Sequence, residues 1–194
     1  IGILTISPAG LDNETRGALP VTALAAFARA VDALNDHLGR ITAWLLAPMA
    51  LVAFSVVVLR YAFEVGYPWL SETFVWLNGA IVMLSAAYVL KEDKHVRVDL
   101  FYRTLGPRGR AWIDLVGVWL LLMPMVGTLA WLSWPIVQRS WRIAERSPTP
   151  DGLTFLYLVK ATVIAFCVLT ALQGLAISIR CLMTLSGRAA RRND

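Results

Sequence analysis

Side chains that carry enzyme chemistry are scarce in this chain. Only 16% of its 194 residues are Asp, Glu, Lys or Arg, and there are two histidines and two cysteines. His37 and His95 both fall in polar flanks, so no bis-histidine haem site can be built inside a helical bundle. Cys167 and Cys181 are fourteen residues apart on one predicted helix. About 21 Å of helix axis then separates them, and they cannot bridge within the chain. There is no CxxC pair, no HExxH and no GxSG with an intramembrane histidine. The inventory therefore points away from an enzyme and implies no cofactor. No cleaved export signal is expected from the residues given: the first apolar run begins near residue 41, is too long for a signal-peptide core, and lacks a small-residue cleavage site.

What the chain has instead is apolar length. Hydrophobic residues make up 58% of it, and the mean hydropathy of +0.63 places it among integral membrane proteins. The net charge of +5 gathers in short loops beside apolar runs, where topology and anionic lipid explain it and nucleic acid does not. The expected fold is all-α, with four transmembrane helices over about 41–59, 70–90, 111–133 and 153–179. Each run approaches or exceeds the twenty residues that cross roughly 30 Å of hydrocarbon. A tail over 1–20, with two prolines and three glycines, is expected to be weakly ordered. Over 21–38, Leu24, Phe27, Val31, Leu34 and Leu38 recur at helical spacing with Arg29, Asp32 and Asp36 opposite, which reads as an amphipathic helix lying on the membrane or against a partner. Pro48 is expected to kink the first span, and Pro68 opens the second where its missing N–H costs nothing. The third span contains Gly117, Pro124 and Gly127, which helices tolerate in a bilayer. The segment 135–146, too polar to cross, is expected to lie in the interface, and 187–194 is a basic tail.

With four spans, the N-terminus, the second loop and the C-terminus share a side. That side carries thirteen Lys or Arg residues against four on the other, so both termini are expected in the cytoplasm. Trp69, Trp131, Trp134 and Trp141 suit interfacial anchors.

Ionisable and polar residues inside spans need partners. Lys160 lies seven residues into the fourth span, and Glu72 enters the second from the same face, so the two could pair with each other, or Lys160 could grip an anionic lipid. Asp114 is an i,i+4 neighbour of Arg110. Asn78, Ser85, Gln173, Gly174 and Ser178 are residue types that let helices approach and hydrogen-bond in lipid. Glu72, Asn78, Lys160 and Gln173 are thus candidates for a subunit or lipid contact.

Several features occur together: the lead-in helix, Trp69 and Glu72 at the outer start of the second span, and the basic HVRVDLFY segment with His95, Arg97 and Asp99. The SPTPDGL turn and a fourth span with Lys160 and Gln173-Gly174 complete the set. In this combination, over about residues 22–186, the chain resembles the DctQ-type small membrane subunit of tripartite ATP-independent periplasmic (TRAP) transporters. The resemblance implies a scaffold in a bacterial inner membrane. Its partners would be a large DctM-type permease subunit driven by sodium and a periplasmic binding protein that delivers an organic acid. A different reading is a stand-alone four-helix exporter that homo-oligomerises around Glu72. The off-centre position of Glu72 and the strong charge bias weigh against it.

Overall fold

The computed structural model describes residues 11–92 and 106–186, with side chains over 23–92, 106 and 108–186. The basic loop holding His95, Arg97 and Asp99, the first half of the expected N-terminal tail and the 187–194 tail lie outside the described residues; the second half of the expected tail, from Leu11, is helical and not weakly ordered.

Every regular element among the described residues is helical. Helix α1 runs Leu11–Ala62, α2 Pro68–Lys91, α3 Pro107–Gly117, α4 Met123–Arg142 and α5 Leu156–Leu185. A π-helical turn, Val118–Leu122, joins α3 to α4, so α3 and α4 form one rod. Four rods are long and apolar enough to cross a membrane: Ala23–Ala62, Pro68–Lys91, Arg108–Arg142 and Leu156–Leu185.

Two of the sequence boundaries are corrected. The helix over 21–38 and the first span are a single helix of 52 residues, about 78 Å long, and it stays helical through Gly39 and Pro48. Gly39 is no break. A Cβ there would stand 2.6 Å from the ring of Tyr88 on α2, so the missing side chain is what lets α1 and α2 touch. The segment from Pro135 likewise continues α4 to Arg142 and is not a separate interfacial piece. Pro135 removes one backbone hydrogen bond, a loss that neighbouring groups in a bundle can absorb.

The π-turn has an identifiable cause. Pro124 has no N–H for the carbonyl of Leu120, and its ring crowds that carbonyl. The preceding turn widens until the Met123 N–H reaches the carbonyl of Val118. The widened turn packs on Gly174 of α5, where a Cβ would meet Leu122 at 2.9 Å and Met123 at 3.0 Å.

Helix α5 is the hub. Its buried residues include Cys167, Thr170, Gln173, Gly174, Ala176 and Ser178, and it packs against every other rod. Around it the surface is apolar: Trp44 and Trp131 are 81% exposed and Leu121 71%. That is the surface of a protein whose solvent on these faces is lipid or another protein.

Candidate functional site

Polar side chains inside this apolar bundle collect at its two ends. Each end holds hydrogen-bonded and ion-paired groups from segments distant in sequence, while the buried Asn35 Oδ1 and Thr170 Oγ1 have no partner among the described residues.

The first set, at the Lys91 end of α2, begins with the face that α1 presents. Ala28, Val31, Asn35, Gly39 and Thr42 are buried on it, a three-four spacing one step round from the expected apolar stripe. The expected face is therefore corrected. Leu24, Phe27 and Leu34 are 40 to 47% exposed, while Asp32 and Asp36, assigned by the sequence pattern to the outer face, turn toward α5 and α2. The rotation follows from what faces them. Ala28 and Val31 pack with Ala176 and Leu172 in a small apolar cluster. The Asn35 Nδ2 donates to Gln173 Oε1 at 2.7 Å, and the Gln173 Nε2 donates to Asp32 Oδ1 at 3.1 Å. Arg180 Nη1 reaches Asp32 Oδ2 at 2.6 Å. Lys91 pairs with Asp36, lies 3.7 Å from Glu92, and sits 5.8 Å above the Tyr88 ring. Gln173 is wholly buried and Asn35 is 1% exposed. A Leu at either place would fill space but leave the other amide without its bond.

The second set, at the Pro68 end of α2, fastens two loops. Helix α4 ends in a Schellman motif: the Glu145 N–H donates to the Ser140 carbonyl at 3.0 Å and the Ala144 N–H to that of Trp141 at 3.3 Å. Ala144 occupies the left-handed position, φ 44°. The reversal turns Glu145 back over its own helix, where Ser140 Oγ donates to Glu145 Oε2 at 2.5 Å and Lys160 Nζ to the same oxygen at 2.5 Å. The Lys160 ammonium and the Ser140 hydroxyl hold the Glu145 carboxyl below the usual carboxylate range. Glu72, one of the two partners the sequence left open for Lys160, is thus not the one it meets, because the α4 turn delivers a nearer acid.

Glu72 serves a different segment. One carboxylate oxygen accepts the Ser147 hydroxyl and the other accepts the Leu153 N–H at 2.8 Å, while Leu153 returns its carbonyl to the Ser147 N–H at 3.0 Å. A Cβ at Gly152 would lie 2.8 Å from Glu72 and from Ser147, so the SPTPDG turn closes directly over the acid. The sequence reading named Glu72 and Lys160 and missed Glu145, Ser147, Asp32 and Asn35 as their kind. An acid just past a helix end followed by Ser-Pro was the available signal for the pair in the second set.

Asn78 is not in either set. It lies ten residues inside α2, about 15 Å from that helix's start at Pro68, is exposed, and its side chain makes no hydrogen bond with another described residue. Gly79 beside it has nothing within 4 Å of a Cβ. Of the expected tryptophan anchors, Trp69 stacks obliquely on Tyr67 with centroids 6.1 Å apart, and Trp141 meets Tyr157 edge-on at 5.1 Å. Trp131 and Trp134 face outward.

Residues 49–184 match the family model described as "Tripartite ATP-independent periplasmic transporters, DctQ component". Over 118 residues the chain is 30% identical to the C4-dicarboxylate TRAP transporter small permease protein DctQ of Vibrio cholerae, a match that covers 59% of this chain and 51% of that protein. It thus spans about half the length of that relative. Over 148 residues it is 27% identical to a TRAP transporter small permease protein of Haemophilus influenzae, covering 70% of this chain and 84% of that one. No solved structure matches.

Proposed function

Since this chain belongs to the DctQ family of tripartite ATP-independent periplasmic transporters, and so is a multi-pass protein of the inner membrane, we propose that it acts as a frame for a larger permease subunit. In this reading the large subunit moves an organic acid with a sodium gradient, and a periplasmic binding protein delivers the acid to the pair. Both termini face the cytoplasm, and the loop over 143–155 faces the periplasm where the binding protein arrives.

Asn78 is the observation that carries the proposal. A primary amide near the middle of a span and directed outward has no water to bond in hydrocarbon, and leaving it unpaired there is unfavourable. With Gly79 unused inside the chain, α2 presents a face suited to a second helix that approaches closely and bonds the amide. Gln173, Glu72 and Lys160, by contrast, are engaged with other parts of the chain's own bundle. Glu72 has both oxygens engaged by the 147–153 segment, which disfavours it as the moving acid of a stand-alone exporter.

The proposal is tested by co-expressing the chain with the large subunit of its own transporter and recovering the complex in mild detergent. Asn78→Leu should lower recovery several-fold, and Asn78→Gln should retain it. A single cysteine at Val75 or Val82, on the same face, should cross-link to the large subunit, and one at Phe54 on α1 should not. Sodium-driven uptake by this chain reconstituted alone would refute the frame assignment.

A further inference from the structure

Between α4 and α5 a trough of about 590 Å³ opens sideways on the surface of the bundle. Gly127 lies in its wall with nothing within 4 Å of a Cβ, and Trp131, Trp134 and Pro135 continue along α4 opposite Ile164 and Val168 of α5. The trough is almost wholly apolar. Its residues on α4 follow three-four spacing, and the next positions of that series toward the outer end are Gln138 and Arg142, both exposed. From Gly127 to Arg142 is fifteen residues, about 22 Å. Half of a bilayer, headgroups included, is also about 20–22 Å thick. The apolar trough, lined on α4 as far as Pro135, thus points along the helix toward a guanidinium that stands one leaflet's depth from Gly127.

The charge at that mouth is not accounted for inside the chain. Glu145 is held by Lys160 and Ser140, so it neutralises the lysine of α5. Arg142 and Arg146 make no ion pair with another described residue, and Arg139 is left with only a through-space attraction to Glu145. Three arginines thus cluster at the end of the bundle that is otherwise poor in basic residues, against the general bias of membrane loops. A phosphate is the complement of such a group, because guanidinium and phosphate pair through two parallel hydrogen bonds.

We propose that this trough binds one anionic glycerophospholipid of the phosphatidylglycerol class from the outer leaflet, with an acyl chain along Gly127, Trp131 and Trp134 and its phosphate on Arg142. Trp131 and Trp134 wall the chain, and Trp141 and Arg146 border the headgroup. The inference rests on the bundle lying in a membrane in the orientation proposed above and stands apart from the choice of permease partner.

The test reconstitutes the full-length chain in vesicles of brominated phosphatidylglycerol or brominated phosphatidylcholine and reads tryptophan quenching. The Trp131→Phe/Trp134→Phe variant identifies the component that arises in the trough. That component should show a preference for phosphatidylglycerol of about fivefold, the size expected for one arginine near a lipid surface. Arg142→Gln should bring the preference to about one while leaving quenching by phosphatidylcholine unchanged. Equal quenching by the two lipids in the unaltered chain would overturn the proposal, as would a preference that survives Arg142→Gln. So would loss of the component in both lipids when the chain is reconstituted with its large subunit, which would place a protein in the trough.

Discussion

Gln173 and Asn35 illustrate how a membrane helix bundle uses polar residues. Each supplies the other with a partner that lipid cannot provide, and Gln173 extends the link to Asp32 and, through it, to Arg180. Replacing Gln173 by Leu should cost about 1–2 kcal/mol, because Asn35 is left buried and unbonded. Asn35→Leu should cost a similar amount, and the double variant distinctly less than the sum. Thermal unfolding in detergent measures the cycle, and strictly additive losses would show that the two amides do not act as a pair. Glu145 behaves differently, since its partners favour the charged form. Its carboxyl titrates lower in the folded protein than in the unfolded chain, so its contribution is present above the ordinary carboxylate pKa of about 4.3 and is lost as pH falls through the depressed value. The stability gap between the unaltered chain and Glu145→Gln should therefore be constant from pH 8 to 6 and shrink below about pH 4. A gap that closed near pH 7 would point to another group. Gln173 was legible in the sequence as a polar residue in an apolar run. Its partner was not, because Asn35 falls in a segment whose charges looked adequate for a surface helix.

The helices owe their joints to backbone chemistry. Pro124 forces the π-turn, Gly174 receives it, and Gly39 brings α1 against Tyr88. At the end of α4 the left-handed position of the Schellman motif is filled by Ala144, φ 44°, where a Cβ is unfavourable and glycine is the usual occupant. Ala144→Gly should accordingly stabilise the protein by about 0.5–1 kcal/mol and raise the unfolding temperature, with the Lys160–Glu145 pair retained. A lower unfolding temperature would mean that the motif does not form in the bilayer. The spans themselves were readable from apolar length, and the start of α2 from Pro68. The joins of α1 across Gly39 and of α4 across Pro135 were misread, because glycine and proline are breakers in water and ordinary residues where lipid offers the backbone no alternative bonds.

For the molecule as a whole, the proposed orientation, drawn from the thirteen-to-four distribution of basic residues, is checked by labelling. With Cys167 and Cys181 replaced by serine, single cysteines at Arg16 and Arg188 should react with a membrane-impermeant thiol reagent only after permeabilisation, and one at Arg146 should react in intact spheroplasts. The reverse pattern would invert the proposed placement of the binding-protein face. Composition and periodicity alone determined that the chain is a helical membrane protein of four spans, because burial in hydrocarbon depends on apolar length, a one-dimensional quantity. Which acid meets Lys160, which face α1 turns inward and where the trough opens were decided by folding. These depend on angles about the helix axes and on contacts between segments more than a hundred residues apart, such as Asn35 and Gln173, and no local pattern encodes them.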